Sequence, residues 1–336
     1  MFNSKIAGTG HYVPENVVKN ADLESIMETN DEWIVERTGI HERRHIVPGG
    51  EDTTSTMGTK AAKIAIEKAG LVADDIDFIV FATLSPDYYF PGPGVMVQEM
   101  LGIKNEIGAL DVRNQCSGFI YALSVADQFI KTGMYKNILV IGSEVHSGGM
   151  DFTTRGRGVS VIFGDGAGAV ILQATKDNTK GVLSTHLHSE GQHAKELALL
   201  GPSTINWVPG YIERNDPEDT SYYPVMNGNF VFKNAVVRFP QVIKEALDKN
   251  KLGVEDVDLL IPHQANLRIT QFVQRQMKLP DEKVFSNIQK YGNTTAASIP
   301  IALDEAVSQG RIKEGDLVCM AAFGSGFTWA SALIRW

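Results

Sequence analysis

The sequence predicts an α/β fold made of two similar halves, and three observations carry that expectation. Short apolar runs bounded by turns, DFIVFAT (77–83), NILVIGSE (137–144), LLIPHQ (259–264) and LVCMAAF (317–323), read as strands buried on both faces. Stretches of helical periodicity alternate with them, the pattern of a largely parallel sheet. The chain also repeats itself: EKAGLVADDIDFIVFA (67–82) and DKNKLGVEDVDLLIPH (248–263) share a helix end, an acidic turn and a buried strand, with Asp77 matching Asp258.

Taken in order, TMGTKAAKIAIEKAG places Met57, Ala61, Ile64 and Ala65 on one helical face, and GFIYALSVADQFIKTG does the same with Phe119, Leu123, Ala126 and Ile130. Gly70, Gly133 and Gly310 follow helices at positions that suit a left-handed C-terminal cap. Two looser matches, KNILVIGSE with EGDLVCMAA and FGDGAGAVIL with FGSGFTWASALI, keep the order of the first. Duplicated halves, residues 1–175 and 176–336, would then meet at the loop TKDNTKG. The segment 189–235 and the stretch SPDYYFPGPG (85–94) fit neither pattern. Long irregular segments of this kind serve as lids or pocket linings.

Composition narrows the function. In 336 residues, 40 acids outweigh 31 bases for a net charge of −9, which argues against broad nucleic-acid binding. No apolar run is long enough to span a membrane, and the N-terminus lacks the apolar core of a signal peptide. The two cysteines, Cys116 and Cys319, lie far apart without metal-ligand spacing, so a reducing cytoplasm with free thiols is expected.

Three residues draw attention as chemistry. Cys116, in DVRNQCSGFIYALSVA, falls between a short strand and an apolar helix. The first N–H groups of that helix would favour a thiolate and lower its pKa. The same position also suits an inert buried cysteine. His263 follows the strand LLIP, at the strand end where α/β folds place ligands, or is a hydrogen-bonded structural histidine. Asn293, in YGNTTAASIPIAL, is either a helix cap or a third member of the set.

The local sequences DVRNQCSGF, IPHQANLR and YGNTTAAS, together with DEWIVERTGI, STMG, FGDGAGA and FGSGFTWASALIRW, resemble β-ketoacyl-acyl-carrier-protein synthase III from Ile6 to Trp336. That resemblance implies a thiolase-like fold of five αβαβα layers, a homodimer, and an acyltransferase that needs no metal or other cofactor. It implies decarboxylative condensation of an acyl-CoA primer with malonyl-acyl carrier protein through Cys116, His263 and Asn293. The backbone N–H groups of Cys116 and Ser325 would form the oxyanion hole. Trp33 and Arg155 would sandwich the adenine of coenzyme A, with Arg37, Thr38, Gly228 and Asn266 also on the coenzyme A path. Arg268, Lys233 and Arg275 would receive the acidic carrier protein, and Phe90 and Phe323 would bound the acyl tunnel.

Two features invite other readings. HLHSEGQH resembles a metal tract but lacks thiols or carboxylates to complete it, and GDGAG resembles a phosphate loop but leads into the strand AVIL. Cys319 suggests a biosynthetic or degradative thiolase, which uses a second cysteine as base, but the resemblance puts Phe323 at that position, and an aromatic ring cannot accept that proton. Arg113 and Gln115 before the nucleophile, the Gly-Ser-Gly turn and the long 189–235 segment depart from the usual pattern. Medium-chain or branched primers, a specialised ketide product, or acyl transfer without decarboxylation therefore stay open. The rival outside enzymology, a scaffold subunit, is opposed by the retained Cys116.

Overall fold

A computed structural model describes residues 2–205 and 219–336; residues 206–218 of the irregular segment lie outside the described residues. The principal elements of the first half are β1 (Asn3–Tyr12), α1 (Asp31–Thr38), α2 (Thr54–Lys68), β2 (Phe78–Ala82), α3 (Pro93–Met100), β3 (Gly108–Val112), α4 (Gly118–Lys131), β4 (Asn137–Glu144) and β5 (Gly166–Thr175). The chain continues with β6 (Gly181–Ser189), α5 (Gly228–Lys249), β7 (Leu259–Pro262), α6 (Leu267–Met277), α7 (Ser298–Ser308), β8 (Leu317–Gly324) and β9 (Thr328–Arg335).

Two mixed sheets form, ordered β1-β5-β4-β2-β3 and β6-β9-β8-β7. The second repeats the first without its outer strand. In each sheet one parallel pair (β2–β4, β7–β8) leads through an antiparallel neighbour to the strand at the far edge. The internal match extends to hydrogen bonds. Asp77 receives the Asn137 N–H on Oδ2 and gives its own N–H to the Asn137 carbonyl, and Asp258 treats Leu317 in the same way. Gly70, Gly133 and Gly310 have φ of 68°, 79° and 68°, the left-handed geometry expected of helix exits.

The apolar stripes read from the sequence sort the helices into layers. Met57, Ala61 and Ala65 of α2 cover one face of the first sheet with Ile79, Phe81, Leu139 and Ile141. Phe119, Leu123, Ala126 and Ile130 of α4 and Ile299, Ala302 and Leu303 of α7 fill the space between the sheets, against residues of both. Phe239, Val242 and Ile243 of α5, with Ile269 and Val273 of α6, cover the outer face of the second sheet. Five layers result, helix–sheet–helix–sheet–helix, the thiolase-like architecture.

The central layer sits close because glycine lets it. A Cβ on Gly168 of β5 would stand 2.7 Å from the Ile301 nitrogen of α7. The FGDGAG run is thus a packing device, and β5 already begins at Gly166 within it. Asp304 of α7 ties the same helix to the first half, accepting from Thr9, His11 and Lys68 at 2.6 Å each. Burial alone would raise its pKa, but these three bonds prevail and hold the carboxyl at about 2.

Candidate active site

The helices α4 and α7 begin side by side, and each is preceded by a single 3-10 turn, Gln115–Ser117 and Thr295–Ala297. Both turns contain a non-glycine residue with positive φ, Gln115 at 46° and Thr295 at 43°. The two turns pack against each other, and the first also packs against the end of β8. Cys116 sits in the first of these packed turns, and Asn293 precedes the second by two residues.

Cys116 lies under the terminal residue of β8. A Cβ on Gly324 would fall 2.6 Å from Cys116 Cβ and 3.0 Å from Sγ, so the position requires glycine. The Ser117 hydroxyl, 2.6 Å from Thr328 Oγ1, pins the turn to β9. The backbone N–H groups of Ser325 and of Cys116 itself point at the sulfur. Here the sequence expectation of a lowered pKa is corrected. Burial pushes the Cys116 thiol up to about 12, the nearby Glu144 carboxylate adds to this, and the two N–H bonds only partly offset it.

His263 follows β7 directly and donates its N–H to the Ala321 carbonyl of β8 at 2.8 Å. Its Nδ1 is 2.7 Å from Ser298 Oγ, at the start of α7. That hydroxyl also accepts the Gln264 N–H at 3.4 Å, and when it gives its own proton to Nδ1 the imidazole carries its hydrogen on Nε2. Nε2 is buried with no protein partner among the described residues. Burial drives the imidazole pKa down to about 3, which keeps the ring neutral.

Asn293 is held through its backbone by Ile162 and Gly164, at 2.9 and 3.1 Å. Its Oδ1 accepts the Thr295 N–H at 2.9 Å, which leaves the NH2 end of the amide as a donor. These three junctions hold a buried sulfur beneath two N–H groups, a neutral imidazole and an amide whose NH2 end can donate. An oxygen that gains negative charge is what such donors stabilise.

A second cluster surrounds Trp33, whose N–H is capped by Asn30 at the start of α1. Arg37 and Arg157 both face its ring, with guanidinium carbons 4.8 and 5.3 Å from the centroid. The partner expected there, Arg155, is corrected: its Nε is bound to Asp151 at 2.7 Å, and its guanidinium lies over Tyr223 at 5.7 Å. Thr38 closes the same helix as Trp33. It is 4% exposed, and its hydroxyl donates to the Ile34 carbonyl and accepts from the Ile40 N–H at the end of α1. Thr29, which the sequence did not single out, lies just before the Asn30 cap and has a buried hydroxyl with no hydrogen-bond partner among the described residues.

Asn266 bridges the two clusters, capping α6 through Arg268 N–H and donating to the Arg37 carbonyl at 2.9 Å. Gly228 opens α5, and among the described residues nothing stands nearer its missing side chain than Met226 Cε at 3.8 Å. Lys233, Arg268 and Arg275 are exposed on the adjacent helices α5 and α6. Phe90 stands 81% exposed beside Tyr88 and Tyr89, while Phe323 is buried with its ring centroid 4.9 Å from that of Phe327. Arg113 points to solvent.

The histidine tract has a structural use. His188 and His186 of β6 both reach Glu245 of α5, at 2.6 and 3.2 Å, and no metal-binding group of side chains occurs among the described residues. Cys319 is fully buried within β8, in the cluster under α5.

The fold and this site define a thiolase-like condensing acyltransferase. Residues 110–191 match the family model described as 3-Oxoacyl-[acyl-carrier-protein (ACP)] synthase III, and residues 247–336 match that of its C terminal region. A relative from Thiobacillus denitrificans, Beta-ketoacyl-[acyl-carrier-protein] synthase III, is 45% identical over all of both chains. The solved 3-oxoacyl-[acyl-carrier-protein] synthase III of Aquifex aeolicus is 44% identical with a TM-score of 0.90, covering 99% of this chain and 100% of its own. A priming β-ketosynthase from the R1128 polyketide pathway is 31% identical with a TM-score of 0.89, over 99% and 96%. The chain belongs to the β-ketoacyl-[acyl-carrier-protein] synthase III family.

The close fit at β8 has a testable consequence. Gly324→Ala is expected to displace the Cys116 side chain and cut acylation by acyl-CoA at least about tenfold, in line with the sensitivity of attack geometry to small shifts. Intact mass spectrometry over time measures it, with circular dichroism to check the fold.

Proposed function

We propose that the protein joins an acyl-CoA primer to malonyl-acyl carrier protein with loss of carbon dioxide, giving 3-oxoacyl-acyl carrier protein at the start of fatty-acid synthesis. Family membership supports the reaction class. The observation that carries the mechanism is His263 Nε2, buried on a neutral ring and without a hydrogen-bond partner among the described residues.

In the first half-reaction Cys116 attacks the acyl-CoA carbonyl as thiolate. The carbon–sulfur bond to coenzyme A breaks, and the cysteine proton ends on the departing coenzyme A sulfur. The N–H groups of Cys116 and Ser325 receive the oxyanion. In the second, malonyl carrier protein loses carbon dioxide, and the electron pair of the broken bond enters an enolate. Its oxygen lies between His263 Nε2–H and the Asn293 amide. The enolate carbon then attacks the acyl-Cys116 carbonyl, forming the new carbon–carbon bond and releasing the thiolate.

Trp33, with Arg37 and Arg157 over its ring, suits the adenine of coenzyme A, because a flat aromatic and planar guanidinium groups stack on a purine. Thr29 lies at the edge of that cluster, Asn266 braces it, and Gly228 leaves room for the pantetheine. Arg268, Lys233 and Arg275 offer positive charge to the acidic carrier protein. The exposed Tyr88–Phe90 loop supports a homodimer in which Phe90 closes the acyl tunnel of its partner, with Phe323 as an inner wall. This reading places the enzyme in the cytoplasm and its two duplicated halves on either side of residue 175.

Incubation with a panel of acyl-CoAs, followed by malonyl carrier protein, tests the reading. A mass increment on Cys116, then stoichiometric carbon dioxide and a 3-oxoacyl product, is expected. Acyl transfer without carbon dioxide would overturn it in favour of a non-decarboxylating enzyme.

A further inference from the structure

A second buried histidine sits behind Asn293. His146 follows β4, is 5% exposed, and places Nε2 2.9 Å from Thr295 Oγ1. Its backbone N–H is fixed by Asp165 Oδ1 at 2.6 Å, and its ring lies against Phe163, centroid to centroid 4.9 Å. Both segments that hold Asn293 thus touch this one ring. Phe163 forms a parallel bridge with Asn293, and Thr295 supplies the N–H that binds Asn293 Oδ1.

Thr295 has φ of 43°, a left-handed conformation that a β-branched residue adopts only under constraint from its surroundings. The bond to His146 is such a constraint, with either atom as the donor. If it is lost, Thr295 is free to relax, its N–H leaves Oδ1, and the amide of Asn293 is free to turn.

We propose that His146 is a positioning residue that acts through Thr295 to hold the Asn293 amide with its NH2 end presented to the reacting oxygen. The inference rests on the reading of Asn293 as a donor to the enolate. A division of labour follows: His146 serves the decarboxylation half-reaction and is dispensable for loading Cys116, whose turn packs against that of Thr295 but has its own anchors in the Ser117–Thr328 bond and the close fit of Gly324.

The test measures both half-reactions in His146→Leu, His146→Gln and Thr295→Val. Leucine fills the space without a polar atom, and glutamine places an amide where Nε2 stood. Valine keeps the shape of threonine without its hydroxyl. His146→Leu and Thr295→Val are expected to slow carbon dioxide release from malonyl carrier protein at least about tenfold, leaving Cys116 acylation within about twofold, with His146→Gln recovering most of the loss. Equal loss in both half-reactions would mark His146 as merely structural and overturn the proposal, as would no loss in either. Wild-type protein that loads Cys116 yet releases no carbon dioxide would instead overturn the functional reading beneath it.

Discussion

Replacing Cys116 with alanine is expected to abolish acyl loading while leaving slow decarboxylation of malonyl carrier protein intact. The two activities separate because the hydrogen bonds that fix His263 and Asn293 run to Ser298 of α7, to Thr295 and to the Phe163 segment, and none of them needs the Cys116 sulfur. Intact mass spectrometry after acyl-CoA treatment reads the first activity, and carbon dioxide release reads the second. Simultaneous loss of both in a folded variant would contradict the arrangement. Wild-type protein carries a companion expectation in its pH dependence. With the thiol at about 12, the reactive thiolate is a minor species near neutrality, and its share grows as pH rises toward that value. Alkylation of Cys116 by iodoacetamide should therefore accelerate about tenfold per pH unit between roughly pH 7 and 9, without levelling. A plateau below about pH 8 would mean that the helix start outweighs burial at this sulfur.

That reversal shows where sequence reading stops. Periodicity placed α2 and α4, the apolar runs marked four strands, and the Asp77–Asp258 match exposed the duplication, because each rests on a repeat visible along the chain. The sequence also located Cys116, His263 and Asn293 at junctions between elements. It gave no access to desolvation, which depends on what folds over a residue from elsewhere: Gly324, more than 200 positions along the chain, covers the sulfur. The same limit explains the exchange of Arg155 for Arg157. Two arginines two residues apart look alike in sequence, and only the bond of the first to Asp151 reveals which is left to face Trp33. Ser298 and Thr295 were overlooked for a related reason. Small hydroxyl residues before a helix read as capping residues, and their use in orienting His263 and Asn293 emerges from contacts made across the fold. The positive φ at both Gln115 and Thr295 likewise has no compositional signal, since neither is glycine.

Removing either neutral donor should be nearly as damaging as removing the sulfur, but at the other half-reaction. One preorganised donor to a developing oxyanion typically contributes ~2.7–4 kcal/mol, so His263→Ala and Asn293→Ala are each expected to slow carbon dioxide release about 10²–10³-fold. Acylation of Cys116 should persist in both. Asn293→Asp is the sharper probe: a carboxylate still accepts the Thr295 N–H, but it sets negative charge against an oxygen that is itself becoming negative. It should therefore be slower than Asn293→Ala, although it preserves shape; a faster Asp variant would show that Asn293 serves packing and not charge. The wild-type pH profile follows from His263. Held near 3 by burial, the imidazole stays neutral across the physiological range, so decarboxylation should show no acid limb at the ordinary histidine value of about 6.5. Folding carries the opposite mark. The unfolded histidine binds a proton below about 6.5 and the folded one does not, so this residue costs stability progressively as pH falls from there toward 3. His263→Ala should remove that part of the acid destabilisation, measurable by urea unfolding near pH 5 and pH 8, even as it removes the proposed donor to the enolate.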